Sequence, residues 1–99
     1  ARREVVDANP DAVDAFLKDY AASVEWVNGN TAEAAQLIAE YGIIEAAPVA
    51  EKALPYCNIV CITGSEMKEK LSGYLQVLSD AEPASVGGAL PGEDFYYGA

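Results

Sequence analysis

The chain has 99 residues, 52% of them hydrophobic, and sixteen Asp and Glu against six Lys and Arg give it a formal charge of −10. A chain this long can make one small domain, and buries only about 60–65% of the surface that its unfolded form exposes. Its acidic field repels phosphate backbones and anionic headgroups, which excludes nucleic acid as a partner, and with no His it has no His-dependent triad, His-ligated metal or His acid/base.

Residues Arg3 to Ala8 set Val5-Val6 between charged neighbours, which suits a short helical turn. Pro10 fits the first position of a helix, because its missing N–H is one that no intrahelical carbonyl could accept, and Asn9 before it can cap. Val13, Phe16, Leu17, Tyr20, Val24 and Val27 then recur at steps of three and four, on one stripe of a 3.6-residue helix. Asp11, Asp14, Lys18, Asp19 and Glu25 lie off that stripe. Asn28-Gly29-Asn30 tolerates left-handed backbone angles and is expected to reverse the chain. Asn30 with Glu33 has the spacing of a capping box, and Ala34, Leu37, Ile38 and Tyr41 make the next apolar face before Gly42 ends it.

Beyond Gly42, Ile43 and Ile44 are expected to pack back on the helix in a buried turn. Ala46 to Leu54, with Pro48 near its start and Pro55 after it, predicts a third, short helix. Tyr56-Cys57-Asn58-Ile59-Val60-Cys61-Ile62 is the one stretch rich in strand-favouring residues, and reads as a strand or a buried extended connection. A single strand cannot satisfy its own backbone, so a strand here needs partners from elsewhere. Thr63 and Glu66 have the spacing of a second capping box, and Met67, Leu71, Tyr74, Leu75 and Leu78 predict a fourth amphipathic helix ending near Asp80. From Ala81 on, Pro83, Gly87, Gly88, Pro91 and Gly92 argue against regular structure, and Phe95-Tyr96-Tyr97 is expected to dock this irregular tail.

No apolar run approaches the roughly 20 residues that span a bilayer. The start, ARREVVDANPD, lacks the apolar core and cleavage site of a secretory signal and has no initiating Met, as expected of a processed or truncated product. Cys57 and Cys61, if on one face of a strand, sit roughly 13 Å apart, whereas a disulfide needs Cα atoms within about 7 Å. Their spacing matches no zinc or thioredoxin-like pair. Ile59, Val60 and Ile62 nearby make Cys57 a small buried residue rather than a nucleophile. The carboxylate pairs Asp11/Asp14 and Glu93/Asp94 stand in polar stretches that suit solvated charges. Gly87-Gly88 lacks the Gly-Lys-Ser/Thr sequel of a phosphate loop. Trp26, beside the apolar stripe, suits packing in a core or lobe interface. No reaction centre, metal or cofactor is expected.

Taken in order, NPDAVDAFLKDYAASVEWVN, NTAEAAQLIAEYG, LPYCNIVCITG, EMKEKLSGYLQVL and PASVGGALPGEDFYYG resemble the C-terminal part of solute-binding proteins of ABC importers, in the nitrate/sulfonate/bicarbonate group that includes thiamine-precursor-like binders. The resemblance covers nearly all of the chain, and its specificity lies in the order of the stretches together with SVGGALP and DFYY. It implies a two-lobed α/β receptor of the type II periplasmic-binding class, considerably longer than this chain. Residues 1–99 would then be its C-terminal helical return segment, mainly α with about four helices and one short strand-like segment, and with an irregular tail from about 81 to 99. The implied function is extracytoplasmic, in the periplasm or as a cell-surface lipoprotein: binding a small-molecule solute without chemistry and presenting it to an ABC permease. Tyr56 and Asn58, flanking the extended stretch, are the candidate solute contacts; members of the family commonly carry a basic residue where this chain has Tyr56. The competing reading is a free-standing acidic helical module that docks a protein through Phe95, Tyr96, Tyr97 and its helix faces.

Overall fold

Local sequence signals place the helices. The computed structural model of the protein describes all residues 1–99. It is mainly helical: α1 (Arg3–Ala8), α2 (Pro10–Gly29), α3 (Thr31–Glu40), α4 (Ala47–Ala53) and α5 (Gly64–Ala81), with 3-10 turns at Leu54–Tyr56, Pro83–Val86 and Glu93–Phe95. Two compact units divide it, Ala1–Cys61 and Ile62–Ala99.

In the first unit the core is small in every sense. Ala34, Ala35, Ala50 and Leu54 cluster, with Val27, Ile38 and Ile59 packed against them. Alanines at 3%, 1% and 1% exposure let α3 and α4 approach backbone to backbone, so the contact gains close packing without large side chains. The inward face of α3 is therefore centred on Ala34, Ala35 and Ile38, and two residues expected on it point away: Leu37 and Tyr41 are exposed. The stripe of α2 divides in the same manner. Val24 is buried and Val13, Leu17 and Val27 are half-buried, while Phe16 and Tyr20 are exposed and stack on each other with ring centroids 5.8 Å apart.

The ends of α3 follow backbone chemistry closely on one side only. Gly42, at φ +69°, donates to the Ala39 carbonyl at 3.0 Å, and Ile43 donates to the Ile38 carbonyl at 3.0 Å. This paired closure is the one that glycine just past a helix end permits. The expected burial of the turn fails, because Ile43 is 72% exposed. The expected left-handed reversal at residues 28–30 is also absent: Gly29 remains helical, and Asn30 turns the chain at φ −137°, ψ 51°. Neither Asn9, Asn30 nor Thr63 caps the following helix with its side chain.

No β-strand forms. Tyr56 closes the 3-10 turn begun at Leu54, and residues 57–63 are irregular. The physical reason is the one the sequence carried: nothing else in the chain offers a ladder of donors and acceptors. The stretch is tied down instead by Asn28, whose side-chain amide donates to the Ile59 carbonyl at 2.9 Å, and by the Ile59 side chain on the alanine core.

In the second unit the tail reverses after α5 and runs back along it. Ser85 Oγ shares its one proton between the carbonyls of Glu82, at 2.7 Å, and Leu78, at 3.2 Å, fastening the turn beside the helix end. Gly87 and Gly88, at φ +77° and +89°, donate to Ala84 and Pro83 and close that turn. Lys68 pairs with Glu93 nearer the start of the helix, and the Gly98 carbonyl lies 3.4 Å from where a Cβ on Gly64 would stand. The tail is thus ordered by short 3-10 turns, and of its three aromatics only Tyr96 is buried, at 8% exposure.

Candidate functional site

The two candidate solute contacts lie on one short stretch that carries the most unusual backbone of the chain. Leu54 is buried at 7% exposure, and the 3-10 turn it opens ends at Tyr56, whose ring stands 85% exposed. Two residues on, Asn58 has φ +51°, the one non-glycine residue in the left-handed region. Asparagine is among the few side chains that occupy that region readily. The conformation turns the chain sharply, and the carbonyl of the next residue meets the Asn28 amide. Tyr56 and Asn58 are both exposed, so each can offer a hydroxyl or an amide to a ligand from a fixed turn.

Cys57 lies between them and is exposed, against the expectation of a buried residue. Its thiol donates to the Ala53 carbonyl at 3.3 Å, a bond made possible by the helical turn four residues long that precedes it. Cys61 is half-buried, and both are free thiols. The partner of Cys57 is a backbone carbonyl rather than a basic side chain.

The second unit contains a hollow of about 390 Å³ between α5 and the returning tail, lined by Lys68, Ser72, Gln76, Leu90, Glu93 and Tyr96 among others. Sequence reasoning takes helix and tail separately and misses it. The pairing signal is Lys68 with Glu93, 25 residues apart, which periodicity alone cannot show. Its polar groups are engaged inside the unit: Lys68 with Glu93, Ser72 Oγ with the Glu69 carbonyl at 3.1 Å, and Gln76 with Asp80 at 2.7 Å. The hollow is thus a seam between helix and tail crossed by the Lys68–Glu93 pair. No three His, Cys, Asp or Glu side chains gather as a metal site, and no helix is long and apolar enough to cross a membrane.

No family model, curated protein or solved structure matches the chain.

Proposed function

We propose that this chain is the C-terminal helical part of the extracytoplasmic solute-binding component of an ABC importer, a receptor for a small solute such as nitrate, a sulfonate, bicarbonate or a thiamine-precursor-like compound. The single observation that supports this most is the amount of apolar surface left uncovered beside so small a core. Phe16, Tyr20 and Trp26 on α2, Val49 on α4 and Tyr74 and Val77 on α5 are all exposed, while no large side chain is fully buried. Faces of this kind suit a segment that completes its core against other parts of a larger two-lobed α/β protein.

In that setting the mechanism is binding without chemistry. A solute that touches both lobes shifts the receptor toward the closed form by its differential affinity for it, and the closed form engages the permease. Tyr56 and Asn58 would contribute at the cleft edge, the phenol stacking or donating and the amide both donating and accepting. A cluster of tuned acids or bases is not needed for this work.

The test is a thermal-shift screen of the receptor produced from its full coding sequence. A rise in melting temperature with one of the named anions or with a thiamine-precursor-like heterocycle, lost in Tyr56→Ala, is the expected result. No shift with any of them, together with a shift from an unrelated macromolecule, would overturn the reading. The coding sequence upstream of Ala1 gives an independent check: a signal peptide or lipobox followed by βαβ patterning is expected.

A second reading, a free-standing acidic helical module that docks a protein, is favoured by the exposed Phe16–Tyr20 stack. It differs in predicting cooperative unfolding of the isolated chain and no upstream coding sequence. Tyr96 is buried and inaccessible to such a partner, which leaves Phe95 and the α2 aromatics to make the contact.

A further inference from the structure

Four asparagines occur in the chain, Asn9, Asn28, Asn30 and Asn58, and the residue after each one separates them. The carbonyl carbon of an asparagine side chain can be attacked by the backbone nitrogen of the next residue, and the attack is fastest where no side chain crowds that nitrogen. Asn9 precedes Pro10, which has no backbone N–H to lose. Asn30 and Asn58 precede Thr31 and Ile59, both branched at Cβ. Asn28 alone precedes glycine.

The surroundings of this pair leave the reaction open. Asn28 and Gly29 are both exposed, and beyond the adjoining residues and the backbone of α2 itself no atom lies within 4 Å of where a Cβ on Gly29 would stand. They are the last two residues of α2, where the terminal turn lacks following N–H donors. The next N–H, that of Asn30, reaches only three residues back, to the Val27 carbonyl, at 3.4 Å. Asn30 Nδ2 holds the Trp26 carbonyl and Asn28 Nδ2 the Ile59 carbonyl, both at 2.9 Å, so the attack proceeds when this last turn frays, and fraying supplies the rotation about the Asn28 backbone that it requires.

We propose that Asn28-Gly29 is a self-modifying site at which the amide is converted to an acid, releasing the stretch that carries Asn58. The Gly29 nitrogen gives its proton to solvent base and bonds to Asn28 Cγ. The Cγ–Nδ2 bond breaks, and Nδ2 leaves as ammonia with a proton taken from water. Water then opens the cyclic imide at either of its carbonyls, leaving aspartate or isoaspartate at position 28. Water is the one co-reactant and no oxidation occurs.

The consequence is structural. Asn28 Nδ2 is the donor that holds the Ile59 carbonyl at 2.9 Å, and a carboxylate in its place has no proton to donate and faces a carbonyl oxygen. Ile59 lies close to the end of the first unit at Cys61, and the bond lost is the one Asn28 makes to the stretch from Asn58 to Cys61, while Cys57 keeps its bonds to Leu54 and Ala53. The isoaspartyl product also inserts an extra methylene into the backbone at the end of α2.

The experiment incubates the full chain, folded, in mildly alkaline buffer, beside the same chain in denaturant and a folded Gly29→Ala variant, and locates conversion by fragmentation mass spectrometry with isoaspartate detection. Conversion at Asn28 in the folded chain is expected, with Asn9, Asn30 and Asn58 remaining amides and with Gly29→Ala slowing the reaction several-fold. The converted chain and Asn28→Asp should both be cut faster within residues 58–61 by a protease of broad specificity. An Asn28 that stays intact when folded while the denatured chain converts, no conversion in either form, or equal conversion at Asn30 or Asn58 would overturn the site. Conversion without faster cleavage within residues 58–61 would overturn the release.

Discussion

Asn9 and Asn30 adopt the same backbone conformation, φ −138°, ψ 54° and φ −137°, ψ 51°, and both turn the side-chain amide back onto the carbonyl four residues earlier. Asn9 Nδ2 donates to Val5 at 3.1 Å and Asn30 Nδ2 to Trp26 at 2.9 Å. Each therefore satisfies a terminal carbonyl of the helix behind it, while its own backbone carbonyl accepts from the helix ahead, Asn9 from Val13 and Asn30 from Ala34. One residue joins two helices by serving as an end to the first and a start to the second. A carbonyl at a helix end needs a donor, and an amide can supply one where a carboxylate cannot.

This assignment separates two substitutions that a capping role would treat alike. If Asn30 capped α3 by accepting, Asn30→Asp would leave stability unchanged, since the two rank together as caps. With the amide donating to Trp26, Asn30→Asp and Asn30→Ala should both destabilise the chain in urea, each by about 0.5–1.5 kcal/mol. Asn9→Ala should leave the midpoint nearly unmoved, because α1 has no buried residue to transmit the loss. An Asn30→Asp chain as stable as the parent would restore the capping role.

The same two residues show what is legible in the sequence. Pro10, Gly42 and the three-and-four spacing mark where helices begin, end and run, because those signals act within a few residues. The direction in which Asn30 uses its amide depends on which helix end lacks a partner, and spacing to Glu33 does not reveal it. Likewise the stripe from Val13 to Val27 identifies a helix, but the half of it that is covered depends on partners distant in sequence, and Phe16 stays exposed. Tyr56 to Ile62 has strand-favouring side chains, yet strands require pairing and the chain supplies no second one. The Asn28 bond to Ile59 spans 31 residues and has no local signature. Tyr56 and Asn58 stand out by position alone, and the left-handed turn at Asn58 is beyond the reach of composition.

Glycine at two helix ends gives a prediction of opposite signs. Gly42 sits at φ +69° with open space where a Cβ would stand, so Gly42→Ala meets no clash and its cost is confined to the backbone. The left-handed conformation costs an L-residue roughly 1–2 kcal/mol, and the urea midpoint should fall accordingly. Gly29 is helical and equally open. There Gly29→Ala should raise stability by about 0.4–1 kcal/mol, through the entropy of the unfolded chain. Equal effects at both positions would contradict the backbone angles described.

The alanine core of the first unit should be intolerant in both directions. Ala35 and Ala50 are each 1% exposed where α3 meets α4. Ala35→Leu or Ala50→Leu forces the helices apart and should cost about 1–3 kcal/mol. Leu54→Ala, removing the largest member of the same cluster, should cost about 2–5 kcal/mol. The pair Ala50→Gly with Leu54→Ala should depart from additivity, since both residues share one cavity. Chemical denaturation of these variants, with Ala50→Gly alone completing the cycle, measures all of this. An unchanged midpoint in Ala50→Leu would mean that α3 and α4 do not touch.

The tail should be held by Tyr96 far more than by its ion pair. Tyr96 is 8% exposed, packs edge-to-face on Phe95 with ring centroids 5.2 Å apart, and lines the hollow against α5. Removing a ring this well covered should cost about 3–5 kcal/mol if the whole second unit responds. If only the tail lets go, the loss appears as proteolysis within residues 83–99. Lys68 and Glu93 form their pair with Glu93 85% exposed. An exposed pair contributes about 0–1 kcal/mol, because solvent screens the charges and two long side chains lose freedom. A double-mutant cycle of Lys68→Met and Glu93→Gln should therefore return a small coupling that fades as salt is added. Tyr96→Ala should be insensitive to salt. A large, salt-dependent coupling beside a harmless Tyr96→Ala would reverse the order, and would mean that charge rather than burial folds the tail back along α5.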